Sequence, residues 1–386
     1  MPDRSEPLGL YVHWPFCLAK CPYCDFNSHV RDVIPQARFR DALRRELSND
    51  AARLGRRPLR SIFFGGGTPS LMDPETVAAL IEDATTLFDP APDLEITLEA
   101  NPTSVERDKL AAFRQAGVNR VSLGVQSLND DALRALGREH SGRQAVAALE
   151  TARKIFDRIS FDLIYARPEQ TALTWRHELE TALDLVSDHL SLYQLTIEPG
   201  TVFEGHYRQG KIILPEDDLS AALYDMTGEI AQTRGLQAYE VSNYARPGAE
   251  SRHNLVYWRY QDYLGIGPGA HGRLTLNGQL HATRRHRAPE IWAERVEARG
   301  SGSTQETPLN AEECGREALL MGLRLAEGID LRRFEARTSR ALADCVDEAI
   351  LEAAIAEGYL EHGSDRLRAT HQGRLRLEAL LGALVL

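Results

Sequence analysis

Nothing in the 386 residues forms an uninterrupted apolar run long enough to cross a bilayer, which takes about 20 residues. The start, MPDRSEPLGLYVHWPF, has no apolar stretch behind a basic one, so it does not read as a secretory signal. Both absences point to a cytoplasmic protein. Basic charge is in short supply: 45 Lys and Arg against 56 Asp and Glu leave a net charge of -11. Neutralising a phosphate backbone takes surplus cation, so no nucleic-acid partner is expected. Cysteine is scarce too, with five in the chain. In a reducing compartment such residues, when clustered, are metal ligands or redox groups rather than disulfides. Cys314 and Cys345 lie far from the other three on predicted helices and read as small buried apolar residues.

What the sequence does contain is a regular alternation. Runs rich in β-branched and aromatic residues, at 8–14, 61–64, 94–100, 120–125, 159–165 and 189–197, read as strands. Stretches of helical period separate them. Val77, Leu80, Ile81, Ala84, Leu87 and Phe88 trace one such face, with Asp73 as the expected N-cap and Pro74 in the first turn. Six strand–helix units imply parallel strands with right-handed crossovers. Six are too few for an eight-stranded barrel, so an open, partial one is expected. After residue 235 the texture turns aromatic and glycine-rich with little periodicity, and GSGSTQET (300–307) is the best linker candidate. Helices near 310–326 and 342–357, then a strand pair turning at Gly363, suggest a small α/β, winged-helix-like C-terminal domain. A packing appendage with no binding role is an equal alternative for it.

The first predicted strand runs into Cys17-Leu-Ala-Lys-Cys21-Pro-Tyr-Cys24. Three thiolates on one tight loop can cap three irons of a cubane cluster and leave the fourth iron free for an outside ligand. A structural zinc would want a fourth protein ligand, for which His13 or His29 is available. The next strand ends in Gly65-Gly66-Gly67-Thr68-Pro69-Ser70. Glycines at the C-terminal edge of a parallel sheet expose backbone polar groups where ligands bind.

With YVHWPFCLAKCPYCDFNS, FFGGGTPS, LEANP, SLGVQS, LGREHS, DLIYARPEQT, LSLYQLTIEPGT and HNLVYW in place, the chain resembles the radical S-adenosylmethionine superfamily. Within it the likeness is to the group of the oxygen-independent coproporphyrinogen III oxidases. The resemblance implies a partial (β/α)6 barrel holding a 4Fe-4S cluster on Cys17, Cys21 and Cys24. It implies S-adenosylmethionine beside the cluster, with Tyr11 and Tyr23 flanking it and Gly66, Gly67 and Thr68 meeting its amino group. Glu99, Gln126, Arg138 and Asp162 complete that pocket. The residue types suit these tasks, since carboxylates accept from an ammonium or a ribose diol and Arg138 can pair with a carboxylate. One departure stands out. Ala166-Arg167-Pro168 replaces the family's Gly-Leu-Pro, and Ala disfavours the positive φ that Gly allows there.

Two features divide the group. The oxidases place a further cysteine where this chain has Phe26, and they carry a longer N-terminal segment. CDFNS and His253-Asn254-Leu255-Val256-Tyr257-Trp258 look instead like the heme chaperones of the HemW type. That resemblance implies a heme contact at His253, with Tyr257 and Trp258 offering flat apolar surface and Arg252 and Arg259 available to propionates. The partners it implies are heme, heme-accepting respiratory proteins at the membrane and a second copy of the chain in a homodimer. The expected organisation is a barrel over 1–235, a segment closing it over 236–299 and a C-terminal domain over 308–386. The alternatives are the oxidative decarboxylation of coproporphyrinogen III and another radical reaction on a tetrapyrrole.

Overall fold

Along the first strand, alternate positions carry opposite chemistry, and this decides the architecture. In β1 (Leu8–Trp14), Leu8, Leu10, Val12 and Trp14 are fully buried, while Gly9, Tyr11 and His13 occupy the other face. The computed structural model describes residues 6–104 and 107–386, so the reading of the start as no secretory signal falls partly outside the described residues. Five further parallel strands follow: β2 (Pro58–Gly66), β3 (Asp89–Ala100), β4 (Arg120–Gln126), β5 (Arg158–Tyr165) and β6 (His189–Gln194). Their apolar positions pack outward on helices such as Gln36–Leu54, Pro74–Leu87 and Gly142–Arg153. Helix Pro74–Leu87 buries Val77, Leu80, Ile81 and Ala84 as the periodicity predicts. Asp73 stands at its N-cap but makes no side-chain cap bond. The inward positions are polar: Ser61, Glu95, Glu99, Arg120, Asp162, Ser160 and His189 line the lumen.

Six parallel strands leave two open edges, and the segment after 235 covers both. β7 (Gln237–Ala238) adds antiparallel to β8 (Asn243–Ala245), which adds antiparallel to β6. On the other side β9 (Asp262–Ile266) runs parallel to β1, followed by the meander β10 (His271–Leu276), β11 (Gln279–Arg285) and β12 (Ser303–Pro308). The twelve strands run in the order β12-β11-β10-β9-β1-β2-β3-β4-β5-β6-β8-β7. The polar stretch read as a linker is therefore largely the edge strand β12, polar on both faces because it is exposed on both. Glu46 anchors its approach, accepting from the N–H groups of Gly302 (2.7 Å) and Gly267 (2.9 Å) and from the Trp292 indole (3.0 Å).

Helix Arg252–Trp258 packs against β1 and β2 from the lumen side. Gly9 makes this possible, since a Cβ there would lie 3.2 Å from Val256 Cγ1. Beyond β12, helices Ala311–Gly322, Leu331–Thr338 and Glu348–Ala356 build a separate small core that includes buried Cys314 and Cys345. A short sheet of β13 (Ile329–Asp330), β14 (Leu360–His362) and β15 (Arg366–Ala369) completes it, and Gly363 donates to the Arg366 carbonyl (2.8 Å) at the expected turn. No helix among the described residues is long and apolar enough to cross a membrane.

Asp262 joins these parts. Its buried carboxylate accepts from Arg57 Nη1 (2.6 Å), Arg337 Nη2 (2.6 Å), and the N–H and hydroxyl of Thr275 (2.7 and 2.9 Å). Burial alone would raise its pKa, but Arg337 and Arg57 outweigh that and hold it below the ordinary value of 3.8. Asp262→Ala leaves the buried Arg57 and the half-buried Arg337 guanidiniums without their carboxylate and is expected to lower stability by about 3–5 kcal/mol in urea unfolding. The stabilisation is present at neutral pH and lost as the pH falls through the depressed pKa.

Candidate functional site

The turn after β2 sets the site. Gly66 has φ +111°, and a Cβ on it would come within 2.7 Å of the His13 ring, so only glycine fits. The N–H groups of Gly67 and Thr68 donate to the carbonyls of Trp14 (2.7 Å) and Phe16 (2.8 Å). What this turn can offer a ligand's ammonium is therefore carbonyl oxygen. Folding the turn against β1 also brings the Thr68 hydroxyl to Cys17 Sγ (3.5 Å).

The cysteine loop leaves β1 at the same edge, and Cys17, Cys21 and Cys24 are half-buried around one cavity of about 160 Å³. Burial pushes the Cys17 and Cys24 thiols up. Gly137 (φ +66°) lets the loop between helices Asp130–Ala135 and Gly142–Arg153 rest on Pro22. Arg138 is thereby placed with Nη1 on Cys21 Sγ (3.3 Å) and Nη2 on the Gly124 carbonyl (2.8 Å). Its buried Nε has no hydrogen-bond partner. Among the described residues no three His, Cys, Asp or Glu side chains converge on a single ion. Thiols spread round a cavity suit a polynuclear cluster better than one zinc. His13 is also committed: Nε2 donates to the Asn27 carbonyl (2.9 Å), so Nδ1 accepts from the Tyr11 hydroxyl (2.9 Å).

Two carboxyls close the inner wall. The Gly66 N–H donates to Glu99 (3.3 Å), and burial, with Asp162 nearby, pushes Glu99 up to about 8. Burial likewise raises Asp162 to about 6 against the opposing hydrogen bond from Ser191. Tyr23, Gly66, Gly67, Thr68, Glu99, Gln126, Arg138 and Asp162 thus share the cysteines' cavity. Tyr11 does not: it lines a neighbouring cavity of about 610 Å³. That cavity takes Phe26, Gly66 and Glu99 as common wall and continues to Tyr257, Trp258, Tyr263, His271, Arg284 and Met321.

His253 lies beneath this second cavity rather than on its surface. It is 1% exposed, with Nδ1 on Ser61 Oγ (2.8 Å), Nε2 on the Tyr257 hydroxyl (2.6 Å) and its ring stacked on Phe63 (4.9 Å). Burial pushes its pKa down to about 3, so it is neutral. Arg252 pairs with Asp93 (2.8 Å) and Arg259 with Glu327 (2.7 Å), so neither guanidinium is unpaired. The sequence pattern gave no sign of His271 and Arg284; the one available signal was that they flank a short strand–turn–strand. Ala166 also departs from expectation and adopts φ +53°. Its neighbour Arg167 forms a buried ion pair with Glu178, which accepts from the Leu128 N–H (2.9 Å) next to Gln126, so the loop is held from the far side.

Residues 11–182 match the radical SAM superfamily, and residues 309–376 match the HemN C-terminal domain. The heme chaperone HemW of Escherichia coli strain K12 is 38% identical over 98% of this chain and 98% of its own length. The chain belongs to the HemW family of radical SAM proteins. The mitochondrial radical S-adenosyl methionine domain-containing protein 1 of Danio rerio is 37% identical, covering 100% of this chain and 88% of the relative. In three dimensions this HemW-family chain superposes on the coproporphyrinogen III oxidase HemN of Escherichia coli, a radical SAM enzyme, with a TM-score of 0.81. That match covers 98% of this chain and 90% of the other at 26% identity.

The Ala166 loop supplies a test. A left-handed alanine costs about 1–2 kcal/mol, so Ala166→Gly is expected to raise stability by up to about 1 kcal/mol after the glycine's greater unfolded-state freedom is deducted. Arg167→Ala, which strands buried Glu178, is expected to lower it by about 3 kcal/mol. Urea unfolding of the two variants measures both.

Proposed function

We propose that this protein is a heme chaperone: it binds heme and passes it to acceptor proteins of respiration, and it carries a 4Fe-4S cluster and S-adenosylmethionine next to the heme. The observation that carries this reading is the 610 Å³ cavity, aromatic and arginine-lined, sharing a wall with the cysteine cavity. Its size falls inside the roughly 300–1,000 Å³ of sites for cofactor-sized ligands. The identity to relatives named heme chaperones supports the same reading.

The residues present fit the cluster and its companion. Cys17, Cys21 and Cys24 would hold three irons, and the Thr68 hydroxyl and Arg138 guanidinium already donate to two of the sulfurs. When bound, the cluster offers one open iron to the amino and carboxylate groups of S-adenosylmethionine and an electron to its sulfonium. Around it, the Gly66–Thr68 turn and Glu99 would accept from the N–H groups of the amino nitrogen, the unpartnered Nε of Arg138 would remain for the carboxylate, and Asp162 and Gln126 would face the rest of the molecule. Phe26, 59% exposed, stands between the two cavities. An oxidase acting on coproporphyrinogen III is the second reading, favoured by the fold shared with HemN.

Hemin titrated into the anaerobically reconstituted protein is expected to give a saturating Soret change at one equivalent, with no conversion of coproporphyrinogen III. Turnover that requires Cys17, Cys21 and Cys24, without specific heme binding, would restore the oxidase. A second expectation concerns pH. Glu99 is protonated below about 8, and it accepts strongly from the amino group's N–H once that proton is lost. The affinity for S-adenosylmethionine is therefore expected to rise from about pH 6 to about pH 8, and Glu99→Gln to flatten the rise in calorimetric titrations.

A further inference from the structure

Heme binding, the reading on which this inference rests, needs three things from a protein: an electron pair for the iron, cations for two propionates and flat apolar surface for the ring. His253 cannot offer the first as it stands, because both ring nitrogens are hydrogen-bonded below the cavity floor. His13 is in the same position. His271 is not. It opens β10 on the cavity wall and is exposed, and its one hydrogen bond is a long one in which Nε2 accepts from Arg284 Nε (3.2 Å). Among the described residues no group bonds its Nδ1. Partial burial, then the charges of Arg284, Arg273 and Arg287, lower its pKa, which keeps the imidazole neutral at neutral pH; its lone pair, on Nε2, is held only by that long bond to Arg284 and is free for the iron once the bond is given up.

The arginines divide in the same way. Arg273 is spent on Glu317, with bonds of 2.8 and 2.6 Å, and Glu317 also accepts from Tyr260 (2.6 Å). Arg284 and Arg287, both on the cavity wall, have no acidic partner among the described residues. His271 and Arg284 are cross-strand partners in the β10–β11 register, so both side chains leave the same face of one rigid ribbon. Aromatic surface adjoins them: Tyr257 and Tyr263 meet edge to face (4.5 Å) and Trp258 lies alongside. Of the cavity's carboxyls, Glu317 is neutralised, Glu99 is protonated at neutral pH and Asp25 stands exposed.

We propose that this chain holds heme in the cavity between β10–β11 and helix Arg252–Trp258, with an imidazole nitrogen of His271 on the iron and Arg284 and Arg287 on the two propionates. His253 acts from below as a positioning residue that fixes the Tyr257 hydroxyl. No redox step is involved; a lone pair of His271 fills one axial position of the iron.

The test compares hemin binding to the full-length protein, His271→Ala, His253→Ala and Arg284→Ala/Arg287→Ala, by Soret titration and electron paramagnetic resonance. His271→Ala is expected to lose the nitrogen-ligated signature and bind at least roughly tenfold more weakly, with the signature restored by added imidazole. His253→Ala is expected to keep that signature. The double arginine variant is expected to lose roughly tenfold or more in affinity for heme but little for heme dimethyl ester, whose propionates are uncharged. An unchanged spectrum in His271→Ala, or loss of the signature in His253→Ala alone, overturns the assignment while leaving heme binding intact. Absence of heme binding by the unsubstituted protein overturns the functional reading and the assignment together.

Discussion

The carboxylate of Asp262 is the point on which the rest of the arrangement hangs. Six parallel strands cannot close on themselves, and the bare edge of β1 has to be paired by a strand arriving from far along the chain. β9 does this, and its first residue is a buried charge held by Arg57, ahead of β2, and Arg337, on a helix of the C-terminal domain. A buried carboxylate is tolerated only when fully bonded, so strand, barrel and C-terminal domain have to be assembled together for any of them to be stable. Helix Ala311–Gly322 supplies Glu317 and Met321 to the larger cavity, so the shape of that cavity depends on the same ion pairs.

The lumen follows an unusual economy of charge. Where eight-stranded barrels fill their interior with branched apolar side chains, these strands turn Glu95, Glu99, Arg120, Asp162 and His189 inward. His189 bonds Ser160 (2.7 Å) and Tyr239 (3.0 Å) much as His253 bonds Ser61 and Tyr257. Burial keeps both rings neutral, so each can donate through one nitrogen and accept through the other. A network satisfied in this way is stiff, and it presents Tyr257 to the larger cavity from a fixed base.

Much of this was legible in the sequence because it is local. The six strands fall where β-branched runs stand, the glycine turn sits at a strand end, and Gly363 makes the expected turn. The residues lining the cysteine cavity come mostly from motif-bearing strand ends, which is why six widely spaced segments could be assigned to one place. What escaped is non-local or averages out. β12 reads as a linker because an edge strand exposed on both faces has no alternation to detect. Ala166 takes a left-handed conformation that its side chain disfavours because the ion pair of Arg167 with Glu178 holds the loop, a contact eleven residues apart that no local propensity encodes. His253 lies in a motif that points to a ligand, yet its partners Ser61 and Glu95 come from strands far earlier in the chain.

Gly66, Glu99 and Phe26 belong to the walls of both cavities. Two occupants resting on one partition cannot be thermodynamically independent unless their effects on it cancel. Whatever factor the molecule in the smaller cavity imposes on the affinity of the larger one is returned to it unchanged, since binding free energies form a closed cycle. A protein built this way need not consume anything to sense its cargo: the state of the partition is itself the message, and it can be sent in either direction.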